Sequence, residues 1–510
     1  MHPCLRVDEI IRLLVRELVW SEAKGSAVAF GCCCKNLEDP MLDVLWATQV
    51  RMTPLLKCLP QDTWEDFGTF VSWLIIFNPS AVSHRIRKTF KRNPTETEWV
   101  SFRKYALRMR NLELDIYKDP AVWEILLLRW SQTTDDPWLP RLKNFQCENS
   151  TKEFIPFIPF FLSRRITKIC IGFIEGTPAE MIGPIIRRLP TLCPGLKDIT
   201  LGGLARDSVI TDAVSEMLLA CNRDGLRTVF VDSELTEEAR KVVYQLPKLS
   251  DLGTIIEGRT LLPTVGLPNL SLLYVNFDDC LDWLQGFRGA RFERLEVVSF
   301  DSKCERVGDF LEAFQSIALT TSAQSTLLFF DFRTSRSWNP NYRPLLPFTQ
   351  LETLSIKFAC DIDCSSMVDD NMITDLARAM PRLKTLRLGD MPCEASTGIT
   401  IKGLTALARH CRHLSELRIH FRADTIVDAV TSQETPSFPG AVAMLHSDCA
   451  LTLLEVGRIP IPETGAATVA KGLIQIFPRL RNIQSFGGQW SIVALKVWFS
   501  RIERGEAQYK

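Results

Sequence analysis

The sequence predicts an α/β fold in which a small all-α module is followed by a solenoid of strand–loop–helix repeats. Three observations predict it. Between Ala379 and Phe421 the spacing Leu-x-x-Leu-x-Leu occurs at Leu383, Leu386 and Leu388, and it returns 31 residues later at Leu414, Leu417 and Ile419. Between those copies Leu404, Leu407 and Ala408 fall at helical spacing. Residues 1–60 lack the strand spacing and carry apolar residues at i, i+3, i+4 and i+7 instead. A short strand, a loop and a returning helix cannot bury their apolar faces alone, whereas stacked copies can. Such a chain offers an extended surface rather than a pocket.

Composition excludes several classes. Lys plus Arg equals Asp plus Glu at 60 each in 510 residues, so no global field favours nucleic acid or an anionic membrane. Asp8, Glu9, Glu17 and Glu22 interrupt the N-terminal apolar run, which is not expected to be a targeting peptide. The most apolar segments, Trp73–Phe77 and Phe154–Leu162, fall far short of the ~20 residues that span a bilayer, and no membrane partner is expected. The 16 cysteines are scattered and form no C-x-x-C pair, which reads as reduced thiols in a cytoplasmic or nuclear chain.

Taken in order, Val7, Ile10, Ile11, Leu14 and Leu18 predict an amphipathic helix ended by Gly25, with Ser26 as a cap. A second helix is expected over Ala27–Lys35, and Asp39-Pro40 is expected to open a third that carries Leu42, Leu45 and Trp46. Three short helices make a thin core, so their apolar surface should continue onto a partner. The run RVDEIIRLLVREL, followed by CCCKNLEDPMLDVLW, resembles the F-box, most closely that of the large fungal F-box families. Asp8-Glu9-Ile10-Ile11 matches the opening of that motif, Cys34-Lys35 its middle and Leu45-Trp46 its end. Arg6-Val7 stands where Leu-Pro is usual, and Leu37 stands near the expected tryptophan. The resemblance implies docking onto a Skp-type adaptor, and through it a cullin ubiquitin ligase. Val7, Ile10, Ile11, Leu14, Leu18, Leu37, Pro40, Leu42 and Trp46 would form the docking face. The alternative is a helical cap for the solenoid, with Val7, Ile10 and Leu14 buried in its core.

Residues 61–135 read as a helical connector. The run His84–Arg92 is basic, and Arg103, Lys104, Arg108 and Arg110 follow among aromatics. Trp99, Phe102, Ala106 and Met109 nevertheless share one helical face, so the aromatics are expected in the core and nucleic acid is not expected as a partner.

Residues 136–487 carry the repeat. Its copies begin at Leu142, Ile166, Leu196, Leu226, Leu270, Leu295, Leu327, Leu351, Leu383, Leu414 and Leu451. With degenerate copies at Leu249 and Leu480 the tally is 13, at intervals of 21 to 37 residues. Helices are expected at Thr211–Cys221, Thr236–Gln245, Val307–Ala318, Met372–Met380 and Thr464–Phe477, several running into a Leu-Pro-x-Leu junction. The pattern resembles the leucine-rich repeat, but Met391 stands where Asn or Cys normally ties down the turn, which implies an irregular solenoid. Residues 488–510, with Ile492, Leu495, Trp498, Phe499 and Ile502 at helical spacing, should cap the last repeat.

Catalytic motifs are missing. Gly465–Lys471 lacks the second glycine and the Ser or Thr of a phosphate loop, and neither G-x-S-x-G nor H-E-x-x-H occurs. His410 and His413 sit where cations favour a helix C-terminus, and no second ligand pair has zinc spacing. Neither metal nor cofactor is expected, nor enzymatic activity. In a leucine-rich repeat the residue inside each Leu-x-Leu faces the concave side, giving Thr200, Phe230, Tyr274, Ser299, Asp331, Ser355, Arg387, Arg418 and Glu455 in one row. Arg333, Lys357 and His420 stand in the next row. Phe230, Tyr274, Asp331, Arg333, Lys357, Arg387, Arg418 and His420 are therefore the residues expected to hold a protein substrate. The expected role is a non-catalytic substrate-recognition subunit of a Skp–cullin–F-box ligase. The alternative is a leucine-rich-repeat scaffold with no ligase role.

Overall fold

In the computed structural model the helical spacing of the first 47 residues resolves into three helices, α1 (Asp8–Trp20), α2 (Lys24–Cys32) and α3 (Lys35–Ala47). The structure describes residues 7–20, 24–63, 92, 94–115, 139–152, 154–256, 267–277, 292–302, 311–312, 314–315, 323–334, 342–358, 368–389, 398–431, 448–456, 459, 461, 465–485 and 488–503. They fall into two compact units, Met1–Lys248 and Leu249–Lys510.

In the first unit, Ile11 and Val15 of α1 meet Ala27, Leu37 and Met41 in a small core. Helix boundaries differ from expectation, α2 ending at Cys32 rather than Lys35. Gly25 and Ser26 lie in the first turn of α2 and do not close α1. Cys34 is the N-cap of α3, which therefore starts before Asp39-Pro40 and holds Pro40 inside. The gain is that Leu37 and Met41, four apart, share the buried face. Asp39 turns instead towards Arg108, whose Nη2 donates to Asp39 Oδ1 at 2.5 Å. Arg108 also pairs with Asp43, which receives Arg12 Nη2 at 2.8 Å. Burial opposes ionisation of Asp43, but hydrogen bonds and charge from Arg12 and Arg108 overcome it and hold its carboxyl below the ordinary range. This network ties the helical module to the turn that precedes the second strand.

After β1 (Thr48–Gln49) and α4 (Thr53–Leu56), α5 (Glu96–Ala106) buries Trp99, Phe102 and Ala106. Met109 lies beyond it, because Leu107 caps the helix. Met109 heads a copy of the repeat that the helical reading hid: Met109, Leu112 and Leu114 are buried, and the latter two lie on β2 (Asn111–Asp115). The sheet of this unit thus reaches back into the segment expected to be a connector. It continues in parallel through β3 (Asn144–Ser150), β4 (Lys168–Phe173), β5 (Asp198–Gly202) and β6 (Thr228–Val231).

Helix α6 (Ala179–Leu192) was masked in sequence by Pro184 and Pro190, both inside it. Its Ile182, Ile185, Ile186 and Leu189 stripe is buried and holds the helix despite the lost donors. Helix α7 (Ser208–Ala220) is capped by Asp207, whose carboxylate accepts from Val209 N at 2.7 Å. Helix α8 (Glu237–Tyr244) is capped by Thr236.

The second unit repeats the plan. Strands β7 (Asp251–Ile256), β8 (Leu272–Phe277), β9 (Val297–Ser302), β10 (Phe329–Thr334) and β11 (Thr353–Phe358) pair in parallel in chain order. They are followed by β12 (Thr385–Leu388), β13 (Glu416–Arg418), β14 (Leu453–Val456) and β15 (Asn482–Ser485). The intervening helices are α9 (Ala323–Thr326), α10 (Asp370–Ala379), α11 (Ile401–His410), α12 (Asp424–Thr431) and α13 (Ala466–Ile476). The helix expected at 307–318 falls outside the described residues except for 311–312 and 314–315.

Every one of the 13 expected repeat copies has its apolar residues buried. A second, backbone regularity appears in both units. At the entries of β3–β6 and β8–β15 two consecutive N–H groups donate to a single carbonyl of the preceding repeat, for example Lys384 and Thr385 to Glu352, Ser415 and Glu416 to Lys384, and Lys197 and Asp198 to Thr167. Helices are joined as well. Asp370 of α10 accepts from Thr400 N at 2.8 Å and Gly403 N at 2.9 Å at the start of α11. A Cβ at position 403 would lie 2.7 Å from Asp370 Oδ1, so a larger residue there would have to displace that carboxylate from its two backbone donors.

The last helix, α14 (Gly488–Glu503), packs on α13 and β15. Its rotation differs from expectation: Trp490, Val493 and Val497 are buried while Ile492 and Leu495 face outwards. Trp490 Nε1 donates to Ile459 O at 2.9 Å, and its ring meets Phe421 edge-on with centroids 5.8 Å apart. Those two contacts fix which face turns inwards.

Candidate protein-interaction surfaces

The N-terminal module divides its apolar residues between an inner and an outer face. Ile11 and Val15 fill the core, while Val7, Ile10, Leu13 and Leu14 are exposed by 41%, 37%, 56% and 43%. Of the residues expected to dock, only Val7, Ile10 and Leu14 stand open. Ile11, Leu37 and Pro40 are buried, the first two within the module's own core, so they cannot contact a partner directly. Leu18 and Leu42 are half-buried against that core. Trp46 is half-buried and lies against Tyr105, ring centroids 4.7 Å apart. Leu13, one turn from Ile10, and Val28 on α2 belong to the exposed set and were missed. Helical spacing alone marks Leu13 as a neighbour of Ile10.

On the sheets, strand register places the alternating row as the sequence implied. In the first unit Glu113, Gln146, Cys170, Thr200 and Phe230 pair in turn. In the second, Gly253, Tyr274, Ser299, Asp331, Ser355, Arg387, Arg418, Glu455 and Gln484 do the same. The chemistry is less open than the row of letters suggests. Asp331 is only 4% exposed and accepts from Arg333 Nε at 3.0 Å. Arg387 Nε donates to Glu416 Oε1 at 2.9 Å, and Arg418 pairs with the buried Glu455. Asp331 is thus no exposed anchor, and the arginines are tied across strands. Lys357 is half-buried beside them, and His420 lies just past β13.

The start of the strands carries residues that alternation had set aside. In the first unit Thr48, Asn111 and Asn144 form a hydrogen-bonded chain, with Asn111 Nδ2 donating to Thr48 Oγ1 at 2.8 Å and Asn144 Nδ2 to Asn111 Oδ1 at 2.7 Å. They line an open cleft of about 260 Å³ with Glu113, Gln146 and Lys168. In the second unit the same row carries Leu272, Val297 and Phe329, paired in register and half-buried.

Among the described residues Cys147, Cys193, Cys221, Cys411 and Cys449 are buried, whereas Cys32 and Cys33 are exposed. Burial pushes the Cys193, Cys221 and Cys411 thiols up to about 12, which makes them core groups rather than nucleophiles. Among the described residues no helix is long and apolar enough to cross a membrane.

No protein-family model matches the chain, and no curated protein matches it. A similar solved structure is that of the Rad7 and Elc1 complex in yeast, with a TM-score of 0.35 and 12% identity over 77% of this chain and 78% of that one. The class of the molecule rests on its own repeats. It is a mixed α/β protein of parallel strands in chain order, solenoid-like, with a helical module at its N-terminus.

Proposed function

We propose that the chain is a non-catalytic substrate-recognition subunit of a Skp–cullin–F-box type ubiquitin ligase. The N-terminal helices dock a Skp-type adaptor, and the concave strand faces hold a protein substrate. The observation that carries this reading is the apolar stripe of Val7, Ile10, Leu13 and Leu14, exposed although Ile11 and Val15 already fill the module's core. A helical cap for the repeats would have turned Val7, Ile10 and Leu14 inwards. An exposed stripe on a helix is the feature a groove on a partner covers.

The test replaces Ile10 and Leu14 together by Asp and measures binding to a recombinant Skp-type adaptor by titration calorimetry. Truncating a central anchor costs roughly 2 kcal/mol or more, so two charged replacements should lower affinity by at least about a thousandfold. Far-UV circular dichroism and the melting of the repeats should stay as in the parent chain. Unchanged adaptor binding would overturn the docking face. Loss of the entire fold would favour the cap.

A further inference from the structure

Two ends of the open strand face in the second unit differ in chemistry. At the strand entries Leu272, Val297 and Phe329 form a half-buried apolar row across β8, β9 and β10. At the strand exits Arg333 of β10 pairs in register with Lys357 of β11. Three arginines whose charge acts on that lysine already have carboxylate partners: Arg333 has Asp331, Arg387 has Glu416 and Arg418 has Glu455. Among the described residues no carboxylate pairs with the Lys357 ammonium, although it is half-buried. Burial, then Arg333, and further Arg418 and Arg387 push its pKa down, with Asp331 alone opposing. A half-buried cation among guanidinium groups is an electrostatic deficit that an incoming anion removes.

We propose that this face binds an acidic peptide segment of a protein partner, with an apolar side chain on the Leu272–Val297–Phe329 row and a carboxylate at Lys357. The inference rests on the protein-binding role proposed above for the strand face and names the class of substrate. Spacing makes it specific. Phe329 is level with Thr353, and Lys357 lies four residues further along β11. At roughly 3.3 Å per residue that is about 13 Å, the reach of four extended residues. Side chains four apart on an extended segment point the same way, so the apolar and acidic residues should stand at i and i+4.

The experiment selects a random peptide library displayed on phage against the full chain, then measures the enriched peptides by fluorescence anisotropy. Enriched sequences should pair an apolar residue with Asp or Glu four positions away. Lys357→Glu should weaken them by about tenfold or more, as loss of a charged hydrogen-bond partner does, while Lys357→Arg should retain them. Phe329→Ser should weaken them with no change in salt dependence. An unaltered thermal melt shows that each variant is folded, and Lys357→Gln replaces Lys357→Glu if the reversal unfolds the unit. No enrichment, enrichment without acidic residues, or full affinity in both Lys357→Glu and Lys357→Gln would each overturn the proposal. Adaptor binding is measured on the same preparations. Its survival beside failed peptide selection sinks the acidic-segment inference alone, whereas its loss beside successful selection sinks the ligase docking alone.

Discussion

Leu386 and Arg387 are adjacent in sequence and opposite in consequence. Leu386 is fully buried between Leu354 and Leu417 on the flanking strands, so Leu386→Asp places an unpaired carboxylate in the core. That variant should lose about 4 kcal/mol or more and melt the repeats around it. Arg387→Gln removes a half-exposed pair with Glu416 and should cost less than about 1 kcal/mol. Differential scanning calorimetry separates the two, and equal shifts would show that the strand register is wrong. Alternation made the inward residue of this pair legible in the sequence. What it hid was the partner of the outward one, because Glu416 sits 29 residues away on the next strand. Cross-strand pairing is a product of register, and letters along one strand do not contain it.

At the scale of the element, α5 shows how a local motif becomes a titratable clamp. Thr95 and Glu98 cap each other, Glu98 Oε2 accepting from Thr95 N at 2.6 Å, and Arg92 Nη1 donates to the same carboxylate at 2.9 Å. Hydrogen bonds from Arg92 and then Thr95 hold Glu98 at about 2. A depressed carboxyl stabilises the fold above its unfolded range, near ~4.3, and that stabilisation fades as pH falls through the folded value. Glu98→Gln should therefore be less stable than the parent at neutral pH, and the gap should close as pH drops from ~4.3 to about 2. Urea titrations across that window check it, and a gap that widens towards acid would refute the clamp. Sequence rules located elements such as α8 and α10, whose caps Thr236 and Asp369 are written beside their apolar stripes. They failed on α6 and α14 for different reasons. Two prolines broke the expected signal in α6 although its buried stripe sufficed. In α14 apolar residues occur on both faces, and the contacts of Trp490 with Ile459 and Phe421 decide the rotation.

For the whole molecule, the repeat was the most legible feature because burial imposes it directly on residue type, and all 13 expected copies obey it. The copy at Met109 was lost because its first residue also fits the face of the preceding helix. The exposed apolar stripe of the first helix was only partly readable. Ile10 and Ile11 look alike in sequence, yet one is exposed and the other fills the core, and only the packing of α2 and α3 tells them apart. The shared carbonyls at the entries of β12 and β13 predict tolerance of an excised repeat. Removing residues 383–413 joins Arg382 to Leu414, so that Ser415 and Glu416 meet Glu352 O in place of Lys384 and Thr385. The shortened chain should still unfold cooperatively, at a lower temperature, since each repeat interacts mainly with its neighbours. A non-cooperative melt by circular dichroism would count against that.

The same carbonyl joints have a consequence for how such a molecule changes over generations. Register in both units is held by main-chain groups at the strand entries and by side chains on the buried face. Residues on the open face between them, such as Ser299 or Lys357, take no part in either. Their replacement leaves the joints intact. A lineage carrying this chain is thereby free to change the chemistry of that face through a few surface substitutions while its architecture is inherited unaltered.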